Sequence, residues 1–360
     1  MAEITNQQVI AGLANALSPR VPEWYGRGAT LRPEAAALRA YPYSFFLSFP
    51  VQTMNGEDTL LAKIHRKPHI VTLNDALTTG WLKPIAHDEY EMAQQIWRAF
   101  EAENSSAFTA VEPLGFMDEW NAILMRKVEG KPLKKYLLSA SVALRSPHAL
   151  KRLQELLKAS VIWLRIFHQR VAGAQDTAFP AQDASDTMDE VLSKLSRHSK
   201  GEVDVETYRY ALSNHLTNLD AGTVQVPVAL LHDDFQYSNI LIMPDGRVCV
   251  VDYALNHRGC VYADLATIII DPQTRGAQIW TSGRLIDPGF IHACQQTILD
   301  AYFNGASYHK KALDFYCALA VLNKWSADEA EVYHGWRKQV YSPLSASTRR
   351  YYAKLLEQYL

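Results

Sequence analysis

The sequence predicts an α+β fold in two lobes, the first small and β-rich, the second larger and mainly helical. Three observations support this. Strand-forming runs joined by a hairpin signal crowd between Tyr43 and His65. Apolar residues at helical spacing dominate after about residue 147. A chain of 360 residues, 48% of them hydrophobic, can bury a core large enough for two lobes. The expected boundaries are a helical extension over 1–35, a β-rich lobe over 36–128 and a helical lobe over 129–360.

Each element follows from local pattern. Residues 3–17 place Ile4, Val9, Ile10, Leu13 and Leu17 on one helical stripe. Tyr43 to Thr53 is rich in aromatic and β-preferring residues, Thr59 to His65 is a second strand, and Asn55-Gly56 between them signals a hairpin. Ala86 to Trp97 reads as a helix in which Glu89, Met92, Ala93 and Ile96 share a face. Glu91 lies roughly 200° round from Glu89. Ile123 to Val128 is a strand that leaves into Glu129-Gly130-Lys131-Pro132-Leu133.

Leu150, Leu153, Leu156, Leu157, Val161, Leu164 and Phe167 make residues 147–170 a core-facing helix, with His168 structural. Gly173 to Ser185 reads as loop, and helical pattern resumes from Thr187 to about Asn218. Val226 to Leu231 is a short apolar strand. From Pro288 to Leu360 the chain is helical again, and Trp325, Tyr333, Trp336, Tyr351 and Tyr352 suit a core better than an exposed platform.

The sharpest signal is His232-Asp233-Asp234-Phe235-Gln236-Tyr237-Ser238-Asn239, followed by Val250-Val251-Asp252-Tyr253. Asp234 and Asn239 are five apart, and Asp252 lies thirteen beyond Asn239. Between them, Ile240 to Met243 and Arg247 to Val251 flank Pro244-Asp245-Gly246, a strand–turn–strand pattern that returns Asn239 and Asp252 to the same end. Phosphoryl transfer to a hydroxyl needs alignment and charge neutralisation more than covalent help. An Asp can orient the hydroxyl and take its proton, while Asn and Asp offer the hard oxygens that magnesium prefers. In that scheme Asp234 is the base, Asn239 and Asp252 hold Mg2+, and His232 supports the loop by hydrogen bonds.

Upstream, Lys63 sits in Leu60-Leu61-Ala62-Lys63-Ile64, similar to the lysine strand of kinases. A lysine in an apolar strand needs an anionic partner. ATP phosphates would serve, with a solvated strand face as the competing reading. Glu89 is the expected carboxylate partner on the next helix, with Glu91 in reserve.

Composition excludes other classes. Lys+Arg 36 against Asp+Glu 38 gives a net charge of −2, so no whole-chain basic signature points to nucleic acid. Cys249, Cys260, Cys294 and Cys317 show no C-x-x-C pairing and read as buried free thiols. The amino terminus lacks the basic-then-apolar order of a signal peptide, and no apolar run is long enough to span a bilayer. A cytoplasmic location is expected. Oligomeric state is open.

These motifs resemble the aminoglycoside phosphotransferase and choline kinase family, small-molecule kinases of protein-kinase-like fold. The family run resembles H-G-D-x-x-x-x-N, then I-D-W or similar, then D-L-A. Here it reads His232-Asp233-Asp234, Val251-Asp252-Tyr253 and Asp264-Leu265-Ala266. The resemblance places the base on Asp234, metal ligands on Asn239 and Asp252, and a bracing carboxylate on Asp264. It also implies that adenine meets backbone near Met125 to Val128, and that Ser44 could bond a phosphate oxygen in place of a glycine-rich loop. That missing loop argues against a protein kinase. Asp233 departs from the family's usual Gly.

The resemblance therefore implies transfer of the γ-phosphoryl of ATP to a hydroxyl of a sugar, aminoglycoside, amino-alcohol or related metabolite. Asp271, Asp287, Asp328 and Glu329 are candidates for an acidic acceptor wall. A nucleotide-binding pseudokinase that holds ATP without turnover is the alternative.

Overall fold

The computed structural model describes residues 5–142, 147–219, 224–253, 257–332 and 345–360. The chain divides into two compact units, Met1–Glu129 and Gly130–Leu360.

The first unit opens with helices α1 (Asn6–Leu17) and α2 (Val21–Tyr25). Thr5 caps α1, and the Gln8 side chain accepts from the Thr5 backbone N–H at 2.8 Å, so two otherwise orphaned donors are satisfied. Strands β1 (Thr30–Leu31), β2 (Ala37–Tyr41), β3 (Ser44–Thr53) and β4 (Gly56–His65) follow. Helices α3 (Leu73–Thr78) and α4 (Leu82–Glu103) precede β5 (Phe108–Thr109), β6 (Pro113–Met117) and β7 (Ala122–Arg126). The antiparallel sheet runs β1-β3-β4-β7-β6, with β2 also on β3.

Alternation explains the core. Phe45, Leu47, Phe49 and Val51 of β3 all face inward, as a period of two requires. They share one cluster with Leu60, Ala62 and Ile64 of β4 and with Val9, Leu13, Ala14 and Leu17 of α1. The sequence reading sets 1–35 apart as an extension; packing instead makes α1 part of the sheet's own core. The hairpin pairs Thr53 with Gly56, so Met54 and Asn55 form the turn and Gly56, at φ 130°, opens β4.

The second unit starts with β8 (Lys131–Pro132), α5 (Leu133–Val142) and α6 (Pro147–Ile166), which ends in a π-helical turn over Phe167–Val171. Residues expected as loop contain β9 (Gln175–Ala178) and the start of α7 (Ala181–His198); α8 (Val205–Leu219) comes next. β9 is short and exposed, and its strand state comes from pairing with β10 (Gln225–Leu230) rather than from its own sequence. Then come β11 (Ile240–Ile242), β12 (Val248–Val250), β13 (Arg258–Cys260) and helices α9 (Tyr262–Ile270), α10 (Gly276–Trp280), α11 (Pro288–Phe303), α12 (Lys310–Val332) and α13 (Ser345–Leu356).

β8 pairs with β11, and β11 with β12. Gly130 makes the first approach possible, because a Cβ there would meet Ile242 O and Leu241 Cβ at 3.1 Å. Helix α12 packs on α7, α9 and α13, and Trp325 stacks on Tyr352 at 5.6 Å as core. Tyr333 and Trp336 lie outside the described residues. All four cysteines are buried and free. Among the described residues, no helix is long and apolar enough to cross a membrane.

Candidate active site

In the first unit the register of β4 brings Lys63 between Phe46 of β3 and Ile123 of β7. Its ammonium meets Glu89 Oε1 at 2.8 Å, and His65 Nε2 lies 2.8 Å from Glu89 Oε2. Lys63 and His65 are two apart on one strand, so both side chains reach the same carboxylate. Burial alone would push the Glu89 carboxyl up, but Lys63 and His65 outweigh it and hold it down at about 2. Glu91 is exposed and faces His87 instead, at 3.6 Å. The helical arithmetic thus selects Glu89.

Other first-unit candidates are placed less simply. Ser44 is buried as the first residue of β3, and the exposed turn residues are Pro42 and Tyr43. Ser44 therefore belongs to the strand, directly after the exposed turn. Met125 is half-buried within β7 and Val128 follows the strand. The Arg126 side chain is committed to Asp58 at 2.5 Å and Glu112 at 2.6 Å. The backbone N–H groups of Arg126 and Lys127 donate to Glu112 O and Thr59 O.

In the second unit the loop after β10 is built around Asp264. This carboxylate, on α9, accepts from His232 N at 2.7 Å and Asp233 N at 2.9 Å. His168 Nε2 meets it at 3.0 Å, and His168 Nδ1 meets the Tyr302 hydroxyl at 2.7 Å. Burial opposes the Asp264 charge, yet the His168 hydrogen bond and its other partners leave the carboxyl below its usual range. Asp271 repeats the device by accepting from Tyr237 N at 2.9 Å. Two carboxylates thus satisfy three backbone donors of one loop.

His232 is buried, and burial pushes its imidazole down to about 4, so it is neutral at ordinary pH. Its Nδ1 accepts from Asp234 N at 3.3 Å, which places the ring proton on Nε2. His232 thus accepts from the backbone of the loop it belongs to.

Asp233 adopts φ 62°. This left-handed backbone is easiest for Gly and, among other residues, for Asn and Asp, which accounts for both the family's Gly and its replacement here. The Asp233 side chain lies 3.6 Å from His257. Burial, with the nearby Asp264 charge, pushes its carboxyl up to about 6.

The reacting groups expected from sequence come together. Asn239 Nδ2 donates to Asp234 Oδ2 at 2.6 Å and to Asp234 O at 3.0 Å. Gln236 Nε2 donates to Asp234 Oδ1 at 2.8 Å. β11 and β12 pair Ile240 with Val250, and Val251 N donates to Asn239 O at 2.9 Å. Asp252 is the next residue, exposed and at φ 64°. The three-residue turn Pro244-Asp245-Gly246, with Gly246 at φ 89°, closes the hairpin that makes this possible. Burial pushes the Asp234 carboxyl up and Asp252 adds to it, while Asn239, Gln236 and Lys324 pull it down.

Comparison with protein families matches residues 71–302, more than half of the chain, to the phosphotransferase enzyme family. The chain belongs to this phosphotransferase family. The match takes in Glu89 and the whole 232–264 stretch of this phosphotransferase; Lys63 lies just ahead of it. Comparison with curated proteins finds no match. Solved structures similar to this phosphotransferase include a glucosamine kinase in complex with glucosamine, ADP and inorganic phosphate, at 13% identity and TM-score 0.55, covering 98% of this chain and 84% of that one. Another is an ethanolamine kinase from Plasmodium vivax, at 10% identity and TM-score 0.53, covering 97% of this chain and 90% of that one. At such identity the likeness establishes the fold, the two-lobed protein-kinase-like fold of small-molecule kinases.

Four acids offered as an acceptor wall have other work. Asp271 serves Tyr237 and Arg275, Asp287 caps α11, Asp328 accepts from Tyr352 at 2.7 Å, and Glu329 is held by Arg349 and Trp325. The acids that do line a cavity, one of about 220 Å³, are Asp183, Glu190, Asp233 and Asp264. Sequence gave no warning of Asp183 and Glu190, because first-turn and mid-helix acids on a surface helix look alike. The Gln236 and Lys324 contacts were also missed. A lysine just after the apolar run Ala318 to Leu322 was the signal available.

Proposed function

We propose that this phosphotransferase moves the γ-phosphoryl group of ATP to a hydroxyl of a small polar molecule, a sugar, aminoglycoside, amino-alcohol or related metabolite. The observation that carries the reading is the arrangement of Asp234, Asn239 and Asp252 around one hairpin. The glucosamine and ethanolamine named for the similar structures, and the ADP bound in one of them, support the acceptor class and the nucleotide.

Asp234 is the proposed base. Its two oxygens each accept one amide N–H, and each keeps a lone pair for the acceptor hydroxyl. It orients that hydroxyl and takes its proton as the oxygen bonds to phosphorus. The donor set suits magnesium: the Asn239 amide turns its nitrogen to Asp234, so its oxygen is on the opposite arm, and the Asp252 carboxylate follows directly on the Asn239–Val251 bond. Asn239 and Asp252 would hold Mg2+, which when bound neutralises phosphate charge. In the first unit, Glu89 keeps Lys63 extended and charged for the phosphates, and the ammonium retains donors beyond the one given to Glu89. The backbone from Met125 to Val128 is the proposed adenine contact, and Ser44 a minor phosphate contact. The cytosol is the proposed location, with residues 36–128 as nucleotide lobe and 129–360 as catalytic lobe.

Mg2+-dependent ATP consumption across a panel of glucosamine, ethanolamine, choline, aminoglycosides and simple sugars tests the reading. At least one acceptor should raise the rate, and Asp234→Asn should lower turnover by about 10²–10⁴-fold while nucleotide binding and melting temperature hold. A wild type that binds Mg-ATP yet phosphorylates nothing would favour the pseudokinase.

A further inference from the structure

Asp234 has an anchor that reaches it from far along the chain. Gln236 Nε2 donates to Asp234 Oδ1 at 2.8 Å, and Gln236 Oε1 accepts from Lys324 Nζ at 3.0 Å. Lys324 stands on α12, 88 residues beyond Gln236, half-buried beside the buried Leu322 and Trp325. We propose that Lys324 is a positioning residue for phosphoryl transfer: its ammonium locks the Gln236 amide with an N–H facing Asp234. The inference rests on Asp234 being the base.

The argument is one of hydrogen-bond inventory. An ionised carboxylate only accepts, an ammonium only donates, and a side-chain amide does both at opposite ends. One orientation of Gln236 therefore satisfies both neighbours. The flipped orientation sets oxygen against carboxylate and NH2 against ammonium, so it loses two hydrogen bonds and gains two repulsions. Without Lys324, only the Asp234 end still selects the orientation, and the penalty for turning the amide falls by one hydrogen bond and one repulsion. Gln236 would then spend part of its time with its donor turned from Asp234.

That matters because the two amides share the carboxylate between them. Asn239 holds Oδ2, so Gln236 on Oδ1 sets the remaining freedom, the twist of the carboxylate plane. A base that twists away from its hydroxyl loses rate without losing bound nucleotide. Lys324 is half-buried on α12, where an ammonium needs an acceptor, and the Gln236 oxygen supplies one. A half-buried lysine that spends a donor on a loop glutamine is accounted for by what the glutamine does next.

Two readouts test this together. In 15N–1H spectra the Gln236 side-chain amide, identified by its disappearance in Gln236→Ala, should shift and exchange faster with water in Lys324→Met, and move back in Lys324→Arg. In ATP consumption with the acceptor panel, Lys324→Met should lower kcat by about 10–100-fold, with nucleotide KM within about twofold and substantial recovery in Lys324→Arg. The double variant Gln236→Ala/Lys324→Met should be no slower than Gln236→Ala alone, because both act on one contact. An unchanged amide resonance in Lys324→Met, or additive losses in the double variant, overturns the role of Lys324 alone. A wild type that consumes no ATP with any acceptor overturns the phosphotransfer reading, and the role in transfer falls with it.

Discussion

In the first unit a buried lysine is held by a carboxylate; in the second, a half-buried carboxylate is held by amides. Glu89 closes on Lys63 and His65, and its carboxyl drops to about 2. Among the described residues, the donors at hydrogen-bond distance from the Asp234 carboxylate are neutral, Gln236 and Asn239, and its carboxyl is pushed up by burial. Opposite charges at close range stabilise a group permanently, whereas neutral donors orient it and leave it able to take a proton. The first cluster stays charged; the second leaves Asp234 able to take the proton that the proposed base must accept.

The comparison can be broken at several points, in decreasing order of effect. Asp264→Ala removes the partner of two backbone N–H groups and of buried His168, so it should cost about 3–5 kcal/mol in urea unfolding. A loss below about 1 kcal/mol would mean the loop holds itself.

Glu89→Gln should cost about 2 kcal/mol, less because the pair is not fully closed from solvent. The pH dependence gives the sign. A carboxyl lowered from 4.5 to about 2 stabilises the fold above pH 4.5, and that contribution fades as pH falls toward 2. The wild type should thus lose its margin over Glu89→Gln across that window. A margin that stays constant with pH contradicts the ion pair.

Asp233→Asn probes the opposite case. A carboxyl raised from 3.8 to about 6 favours folding at low pH and loses that contribution as pH rises through 6. The Asn variant, equally at ease at φ 62°, should match the wild type below pH 4 and gain about 1 kcal/mol above pH 7, a figure discounted for partial exposure. Equal stabilities at both ends would remove the burial argument for Asp233.

How much of this was legible follows from the range of the forces involved. The β3–β4 hairpin, the 240–251 hairpin and the Lys63–Glu89 pair rest on periods of 2 and 3.6 residues, and these can be counted along a chain. Asp234, Asn239 and Asp252 could be found together because one tight turn links them. Asp264 could be named from its motif, but its two backbone partners and His168 could not, since they meet across 31, 32 and 96 positions. The four wall acids failed for a related reason. A carboxylate's type is visible in sequence, while its commitment to a cap, an arginine or a tyrosine is a tertiary fact. β9 escaped because an edge strand of exposed residues borrows its conformation from a neighbour.

The most direct measurement is ADP binding by calorimetry with and without Mg2+, in wild type and in Asp252→Ala. Magnesium should tighten ADP binding to the wild type by about tenfold or more, worth roughly 1.4 kcal/mol, and do little for Asp252→Ala. An equal tightening by magnesium in both proteins would contradict a cation held by the 239–252 hairpin.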